Sequence, residues 1–302
     1  MNLNDSSNIV IDIPRYNLDT CSMLVEFNAS VWTARKLDKS TTAEVQQAKQ
    51  AKAKGAARVN KHLLAGTTEL EDIISFVQKV RLYVATNTVP WSDRGMRLLP
   101  TAKFMEFDDD MKAFENEFVA KVNDFIQIYP TLITAQAMAL GSLFNRAEFP
   151  DVNDIARKFD FKFTYLPLPT AGDFRVDVGV AAQEELKARL NEVYAKRIEV
   201  AVSDVRERLT EAVKHLADQL TVEYVGNEAK PRRFYESTLE TAKNLCELVP
   251  ALNITNDPRI EEVRAELERI VGGIHVETVR NDYPAREELK REMDDLVSRL
   301  DF

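Results

Sequence analysis

Four carboxylates lie close together in the stretch "FMEFDDDMKAF": Glu106, Asp108, Asp109 and Asp110. Carboxylates at such spacing are groups that bind hard cations or transfer protons. The surrounding apolar residues, however, recur at the spacing of an amphipathic helix: Phe104, Phe107, Met111, Phe114, Phe118, Val122 and Phe125. Because successive residues are about 100° apart around a helix, the three aspartates fan across its outer side. The pattern therefore predicts a solvent-exposed helix face and not a metal or catalytic site.

Other residues that commonly carry chemistry are few and scattered. His62, His215 and His275 are the only histidines, and none lies at zinc-ligand spacing from a cysteine or another histidine. The glycine patterns of phosphate-binding loops, dinucleotide-binding folds and serine hydrolases do not occur. The sequence therefore predicts no catalytic residue, no metal and no cofactor, and it favours a non-enzymatic protein.

The composition is that of a soluble protein rich in long helices. Of the 302 residues, 45% are apolar and 29% are charged, and only 9 glycines and 11 prolines interrupt the chain. No apolar run reaches the roughly 18 residues that a membrane span requires, and the first residues lack the basic start of a signal peptide. Cys21 and Cys246 are too few for a disulfide framework. We therefore expect reduced cysteines and a cytoplasmic location, in the host cytoplasm if a phage encodes the protein.

Hydrophobic periodicity predicts several long amphipathic helices. The longest is expected over about residues 182–220, with one apolar stripe: Leu186, Leu190, Val193, Ile198, Val202, Val205, Leu209, Val213, Leu216 and Leu220. Others are expected over about 68–89, 104–128, 234–249, 258–271 and 284–300. A helix of about 39 residues extends nearly 60 Å, so the longest helix needs a partner along much of its length.

Alternation of apolar and polar residues predicts three strands, over residues 22–34, 159–166 and 173–179. The clearest is "FDFKFTYLPLP", in which aromatic and polar side chains alternate with period two. The predicted fold is therefore α+β and predominantly helical, with long amphipathic helices forming an antiparallel rod on a small antiparallel sheet. We expect a sheet-plus-helix body over residues 1–220 and a helical segment over 221–302.

Charge is distributed unevenly along the chain. The net charge is −9, but the basic segment, residues 35–61, carries eight Lys or Arg against Asp38 and Glu44 and is therefore +6. Candidate phosphate contacts on a helix face in and around this segment are Arg35, Lys36, Lys49, Lys52, Lys54, Arg58 and Lys61. No aromatic residue lies between 33 and 75. This absence weakens the hypothesis that the segment binds single-stranded nucleic acid, because bases of a single strand usually stack on aromatic side chains. The alternative interpretation is a solvated helix rich in alanine and lysine.

Two further regions are candidates for a protein interface. The loop over residues 87–104 carries Trp91, Arg94 and Arg97, residue types that dominate binding energy when exposed at an interface. The alternative is a tryptophan buried at the junction of sheet and helix. Leu209 and Leu216 belong to the long apolar stripe, which the 104–128 helix is too short to cover. We therefore expect a second copy of the chain to cover part of the stripe, giving a homo-oligomer of coiled-coil type.

Three stretches, "VWTARKLDK", "DRGMRLLPTAKF" and "FDFKFTYLPLP", resemble a family of uncharacterised proteins found mainly in bacteriophages and related bacterial elements. The resemblance covers about the first 220 residues. Members of that family are often encoded beside a MoxR/CobS-like AAA+ ATPase and a von Willebrand factor A protein. The resemblance implies a phage or prophage origin and an ATPase assembly as a possible partner, but it implies no activity.

Two functional hypotheses follow. The first is a non-enzymatic helical protein that self-associates or docks on a partner such as an AAA+ ATPase assembly. The second is a nucleic-acid-binding protein of phage replication or recombination that uses the basic segment. Binding that weakens steeply as salt rises distinguishes the second hypothesis from the first. Neither hypothesis involves a membrane.

Overall fold

A computed structural model describes residues 18–53, 55–93, 95–169, 180–225 and 228–299. It is 67% helical and contains a small antiparallel sheet, which confirms the predicted α+β, predominantly helical class. The chain divides into two compact units: unit 1 comprises residues 1–25, 87–104 and 165–302, and unit 2 comprises 26–86 and 105–164. Both units are assembled from separated segments, which differs from the expected division at residue 220.

The helices account for most of the chain. In order they are α1 Leu18–Cys21, α2 Lys39–Ala48, α3 Glu69–Asn87, α4 Phe104–Ala139, α5 Val152–Ala156, α6 Val180–Gln219, α7 Glu236–Leu252, α8 Pro258–Gly273, α9 Val276–Asn281 and α10 Tyr283–Ser298. Short 3₁₀ turns cover Thr101–Lys103, Gly141–Leu143 and Arg146–Glu148. The long helix predicted over 182–220 is therefore confirmed as α6. In the part of the chain that the structure describes, no helix is both long and apolar enough to cross a membrane.

In the described residues the strands form one four-stranded sheet and two separate two-stranded pairs. They are β1 Ser22–Ser30, β2 Arg35–Leu37, β3 Asn60–His62, β4 Val89–Pro90, β5 Arg97–Pro100, β6 Asp160–Leu166, β7 Val222–Val225 and β8 Glu228–Pro231. The sheet has the order β4-β5-β1-β6, and β2-β3 and β7-β8 pair separately. The expected strands 22–34 and 159–166 correspond to β1 and β6, whereas the expected strand 173–179 lies outside the described residues.

Two strands of the sheet come from the segment expected to be a loop. β5 pairs antiparallel with β1, so that Met23 lies opposite Leu99 and Leu24 opposite Leu98, and β4 extends the sheet by a short antiparallel pairing with β5. Leu98 and Leu99 are fully buried. The sequence "RLLP" is too short to show alternation, so its strand character depends on pairing with β1 and not on a local signal.

In unit 2, α3 and α4 pack antiparallel through aromatic side chains. Tyr83 of α3 stacks on Phe107 at a centroid distance of 5.5 Å, and Phe76 meets Phe114 edge to face at 6.1 Å. The first part of the apolar stripe predicted for the 104–128 helix thus packs against α3, whereas Phe118 and Phe125 contact Phe161 and Phe159 at centroid distances of 5.3 and 5.5 Å. Burial of each large apolar side chain is worth about 1.5–3 kcal/mol, so this stripe provides much of the stabilisation of unit 2.

Two helices continue through a proline at which the sequence predicts an end. α4 contains Pro130 and α7 contains Pro250, so α4 runs well beyond the expected residue 128. A proline removes one helix hydrogen bond and costs about 3 kcal/mol in a helix interior. The apolar stripe of α4 continues across Pro130, since Tyr129 before it and Ile133 after it are both buried. Burial of this continuing stripe offsets the proline penalty.

Unit 1 is built around the C-terminal half of α6. Val205, Leu209, Val213 and Leu216 are at most 1% exposed and share one buried cluster with residues of α7, α8 and α10. The helices after residue 220 therefore provide the cover that was expected from a second chain. Earlier in α6 the apolar side chains are much less protected: Val193 is 41% exposed and Val200 is 55% exposed.

Arg286 of α10 is the largest fully buried side chain in the described residues, at 1% exposure. Its Nε donates to the carbonyl of Leu220 at 2.9 Å, and its Nη2 donates to the carbonyls of Gln219 and Arg232, each at 2.5 Å. The last carbonyls of a helix have no partner within the helix, and here Arg286 supplies donors at the end of α6. Burial lowers the pKa of the guanidinium from its ordinary value. One side chain thus fixes the end of α6, the segment before α7 and the start of α10.

We predict that Arg286→Met destabilises unit 1 by about 3 kcal/mol or more, because each buried carbonyl left without a donor costs about 1–3 kcal/mol. Urea unfolding followed by Trp91 fluorescence, in a Trp32→Phe background, measures this free energy. Arg291→Met is the matched control, since Arg291 lies exposed on the same helix and should change stability by about 0.5 kcal/mol at most. Equal effects of the two substitutions would contradict the role given to Arg286.

Candidate functional site

The basic segment folds into a small structure of its own within unit 2. β2 and β3 pair antiparallel, with Arg35 opposite His62 and Lys36 opposite Lys61. α2 and the loop over residues 49–59 connect the two strands. The helix ends at Ala48, so Lys49 and Lys52 lie beyond it. The expectation that these lysines contact phosphates from a helix face is therefore wrong in its geometry, and so is the alternative of a continuous solvated helix.

Side-chain hydrogen bonds close this loop onto α2. Asp38 caps the start of α2, because its carboxylate accepts hydrogen bonds from the Thr41 backbone N–H at 2.9 Å and from the Ser40 hydroxyl at 2.7 Å. At the other end, the Gln46 amide donates to the carbonyl of Ala57 at 2.9 Å, and the Thr42 hydroxyl accepts from the backbone N–H of Val59 at 3.0 Å. The last two bonds hold the C-terminal end of the loop, residues 57–59, against α2.

Lys61 attaches the basic segment to the rest of unit 2. Its ammonium lies 2.6 Å from a carboxylate oxygen of Glu148 and 3.7 Å from one of Asp38, and it donates to the carbonyl of Leu143 at 3.0 Å. The side chain is only 9% exposed. Lys61, a predicted phosphate contact, is therefore engaged inside the unit and does not face a ligand. The ion pair depends on Glu148, which lies far along the chain, so it was not predictable from local spacing.

Six other cations of the segment are exposed: Arg35, Lys36, Lys39, Lys49, Lys52 and Arg58. None of them has a carboxylate partner among the residues that the structure describes. Lys54, also predicted, lies outside those residues. Since Asp38 is buried beside Lys61, Glu44 is the one exposed acid of the segment. Six exposed cations against one exposed anion leave this surface at about +5, in a chain whose net charge is −9.

Sequence reasoning missed three of the cations of unit 2 that are exposed and without a carboxylate partner in the described chain. Lys39 contributed to the charge of the segment but was not proposed as a contact. Arg157 and Lys158 follow α5 and are exposed as well. They stand in the sequence as a single basic pair before "FDFKF". Such a pair is common on protein surfaces and becomes informative only through its neighbours in the fold.

The carboxylates of α4 take separate local partners. Asp108 forms an ion pair with Lys112 at 2.5 Å, the Tyr83 hydroxyl donates to Asp110 at 2.6 Å, and Asp109 faces solvent. Across the described part of the chain, no group of three or more His, Cys, Asp or Glu side chains is placed to hold a metal ion. The aspartates thus point in different directions around the helix and do not converge.

The candidate interface residues lie inside unit 1. Trp91 is 2% exposed and meets Tyr194 edge to face at 5.2 Å, with the Arg197 guanidinium 5.6 Å from its ring. Arg97 donates through Nε to the Thr88 hydroxyl at 2.5 Å. These contacts correspond to the alternative of a buried tryptophan. Arg94 lies outside the described residues.

Leu209 and Leu216 are likewise internal, each at 0% exposure. They were expected at an interface with a second copy because no segment of matching length was visible in the sequence. α7, α8 and α10 together provide that cover, although each of them is short. Neither leucine is accessible to a second chain while unit 1 is folded.

Comparison of the chain with protein-family models, with curated proteins and with solved structures returned no match. The resemblance to the phage-type family therefore stays a prediction.

The pKa of Asp38 gives a pH-dependent test of this structure. The backbone hydrogen bond from Thr41, followed by that from the Ser40 hydroxyl, lowers the pKa from 3.8 to about 2. A carboxylate with a lowered folded-state pKa stabilises the fold fully above its unfolded pKa, and this stabilisation is lost as the pH falls towards the folded pKa. We predict that the stability advantage of the wild type over Asp38→Asn disappears between about pH 4 and pH 2.

An NMR titration of the Asp38 carboxyl carbon measures the same pKa directly, and its midpoint should lie near pH 2. A midpoint for Asp38 at or above its ordinary value of 3.8 would show that the carboxylate does not cap α2 as described.

Proposed function

We propose that the protein is a non-enzymatic nucleic-acid-binding protein that contacts phosphates through the basic segment. The observation that supports this proposal is the set of six exposed cations without carboxylate partners in the described chain, all on one folded substructure of unit 2. Cations engaged by nearby carboxylates contribute little to phosphate binding, because the ion pair must first be broken. Unpaired cations are free to replace the counterions of a polyanion. The proposal assigns no catalytic residue, metal or cofactor.

The arrangement also fits a polyanion better than a single small anion. Arg35 and Lys36 lie on β2, Lys39 begins α2, and Lys49, Lys52 and Arg58 lie on or beside the loop. The described loop cations are spread along the chain over residues 49–58. Separated charges are suited to successive phosphates of a backbone. If the resemblance to the phage-type family holds, replication or recombination is the process in which such binding would be used.

We predict that binding weakens steeply with salt and that the triple variant Lys49→Gln, Lys52→Gln, Arg58→Gln reduces that dependence. Each lost phosphate contact lowers the slope of log K against log salt by about 0.7–0.9, so the slope should fall by about 2 to 3. Fluorescence anisotropy with a labelled oligonucleotide at several salt concentrations measures the slope.

The matched control for this variant is Lys214→Gln, Lys243→Gln, Arg291→Gln. It removes three exposed cations from unit 1 and changes the net charge by the same amount. We expect a much smaller change in slope, because these positions lie outside the basic segment. Equal effects of the two triple variants would show that binding follows net charge alone and would overturn the assignment to the basic segment.

We propose self-association as a second candidate function, on a different observation. Leu186, Val193 and Val200 of α6 recur every seven residues and therefore lie on one face of the helix. Val193 and Val200 are 41% and 55% exposed, whereas the later stripe of α6 is buried. Seven-residue spacing of apolar side chains is typical of helices that pair with a second helix. The occupant proposed for this face is a second copy of the chain. A phage ATPase assembly remains the alternative partner.

We predict that light scattering at micromolar concentration reports a dimer or larger species, and that Val193→Glu with Val200→Glu converts it to single chains. Charges placed in a paired helical seam must lose water without gaining a partner. Ala188→Glu with Asn191→Glu is the control, since it adds the same charge on the opposite side of the same helix. A wild-type mass of one chain at all accessible concentrations would exclude this function.

A further inference from the structure

Unit 2 contains an open groove that is separate from the exposed face of the basic segment. Its volume is about 730 Å³. One wall is the chain that follows β1, over residues 30–33. The other wall runs from the end of α5 into β6, over residues 157–160, together with Lys162. The groove therefore brings together two stretches that are far apart in the sequence.

Trp32 is the aromatic residue that lines this groove from the first wall. It is half-buried, and its ring meets that of Tyr129 edge to face at 5.8 Å with an interplanar angle of 89°. Tyr129 is itself fixed, since its hydroxyl donates to the carbonyl of Pro150 at 3.1 Å and its ring contacts Phe125 at 5.6 Å. The indole is thus held in one position by neighbours that are themselves buried. Because the indole is already fixed, stacking of a ligand on it costs little side-chain conformational entropy.

The second wall supplies positive charge. Arg157 and Lys158 are exposed, and neither has a carboxylate partner among the described residues. Lys162 pairs with Asp160 at 2.8 Å, but both side chains are well exposed, at 72% and 43%. An exposed ion pair of this kind contributes little stability, so a phosphate can displace the carboxylate. The groove therefore combines two aromatic residues, Trp32 and Phe159, with three cations and a single acid.

The first wall of the groove leads along the chain into the basic segment. Arg35 follows Trp32 by three residues, a distance of at most about 11 Å along the chain. Arg35 and Lys36 are both exposed, and neither has a carboxylate partner in the described chain. A ligand with an aromatic group at Trp32 and a charged backbone thus has cations both in the groove and beyond its rim. This is the chemistry of a polynucleotide and not of a simple polyanion.

We infer that the groove binds a single nucleic-acid strand, with one base stacked on Trp32 and neighbouring phosphates on Arg157 and Lys158. The inference rests on the proposed nucleic-acid function and adds the form of nucleic acid that is bound. Stacking on a protein side chain requires a base whose face is free, which a base inside a duplex does not have. The groove thus favours single strands over duplex, and the basic segment alone has no reason to do so.

The test compares a labelled single-stranded oligonucleotide with a duplex of the same sequence, by anisotropy at about 50 mM salt. Trp32→Ala should weaken single-strand binding by about tenfold or more and leave duplex binding unchanged. Trp32→Phe keeps an aromatic face and should retain most of the affinity. It should also abolish the quenching of tryptophan fluorescence that single strands cause in the wild type.

A second variant keeps the test informative if Trp32→Ala does not fold. Arg157→Gln with Lys158→Gln changes only exposed side chains and should lower both the single-strand affinity and its salt slope, by about 1 to 2. Lys187→Gln with Arg189→Gln, on α6 in unit 1, is the matched control. Heparin, a polyanion without bases, should compete less well against the wild type than single-stranded DNA of equal charge.

The outcomes separate the two proposals. If no nucleic acid binds at this salt concentration, the proposed function itself is wrong. If single strands and duplex bind equally, and neither the Trp32 variants nor the Arg157–Lys158 variant changes the affinity, the protein binds nucleic acid elsewhere. That result would overturn the assignment of single-strand binding to the groove and leave the basic segment as the proposed binding surface. Equal competition by heparin would likewise contradict base stacking.

Discussion

The ion pair of Lys61 is the interaction on which the candidate binding surface depends. Its ammonium is held by Glu148 and lies near Asp38, so one cation attaches β3 both to the start of α2 and to the segment after α4. A partly buried ion pair stabilises little by itself but is costly to break on one side. Its main effect here is on the charge of the surface, because Lys61, Asp38 and Glu148 are largely shielded from solvent. The cations that remain exposed on the basic segment are therefore almost unopposed.

A buried cation also organises unit 1, with a different outcome. Arg286 donates hydrogen bonds to backbone carbonyls at the end of α6 and before α7. Its guanidinium therefore connects these segments and does not face a ligand. Trp91, Arg97, Leu209 and Leu216 are similarly internal to that unit. Unit 1 carries most of the negative charge, since the Lys, Arg, Asp and Glu of unit 2 sum to −1 of the total −9. The phosphate binding that we propose therefore lies on unit 2, and the protein partner that we propose lies on the exposed half of α6.

The sequence predicted those features that depend on local spacing. The helix over α4, the long helix α6 and the strand β6 follow from periodicity alone, and so does the separation of Asp108 and Asp110 on α4. Features that depend on residues far apart in the sequence were not predictable in this way. They are the partner of Lys61, the pairing of β5 with β1, and the position of Trp32 and Arg157 on one groove. Pro130 was misleading because the local cost of a proline is visible in a sequence, whereas the burial that offsets it is not.

Hydrogen exchange measured by mass spectrometry, with and without a single-stranded oligonucleotide at low salt, tests the central claim most directly. It requires no substitution and reports on both units at once. The account predicts slower exchange in peptides covering residues 30–59 and 157–162, with peptides of α7, α8 and α10 unchanged. Protection confined to unit 1, or no protection in unit 2 under conditions where the oligonucleotide is bound, would contradict it.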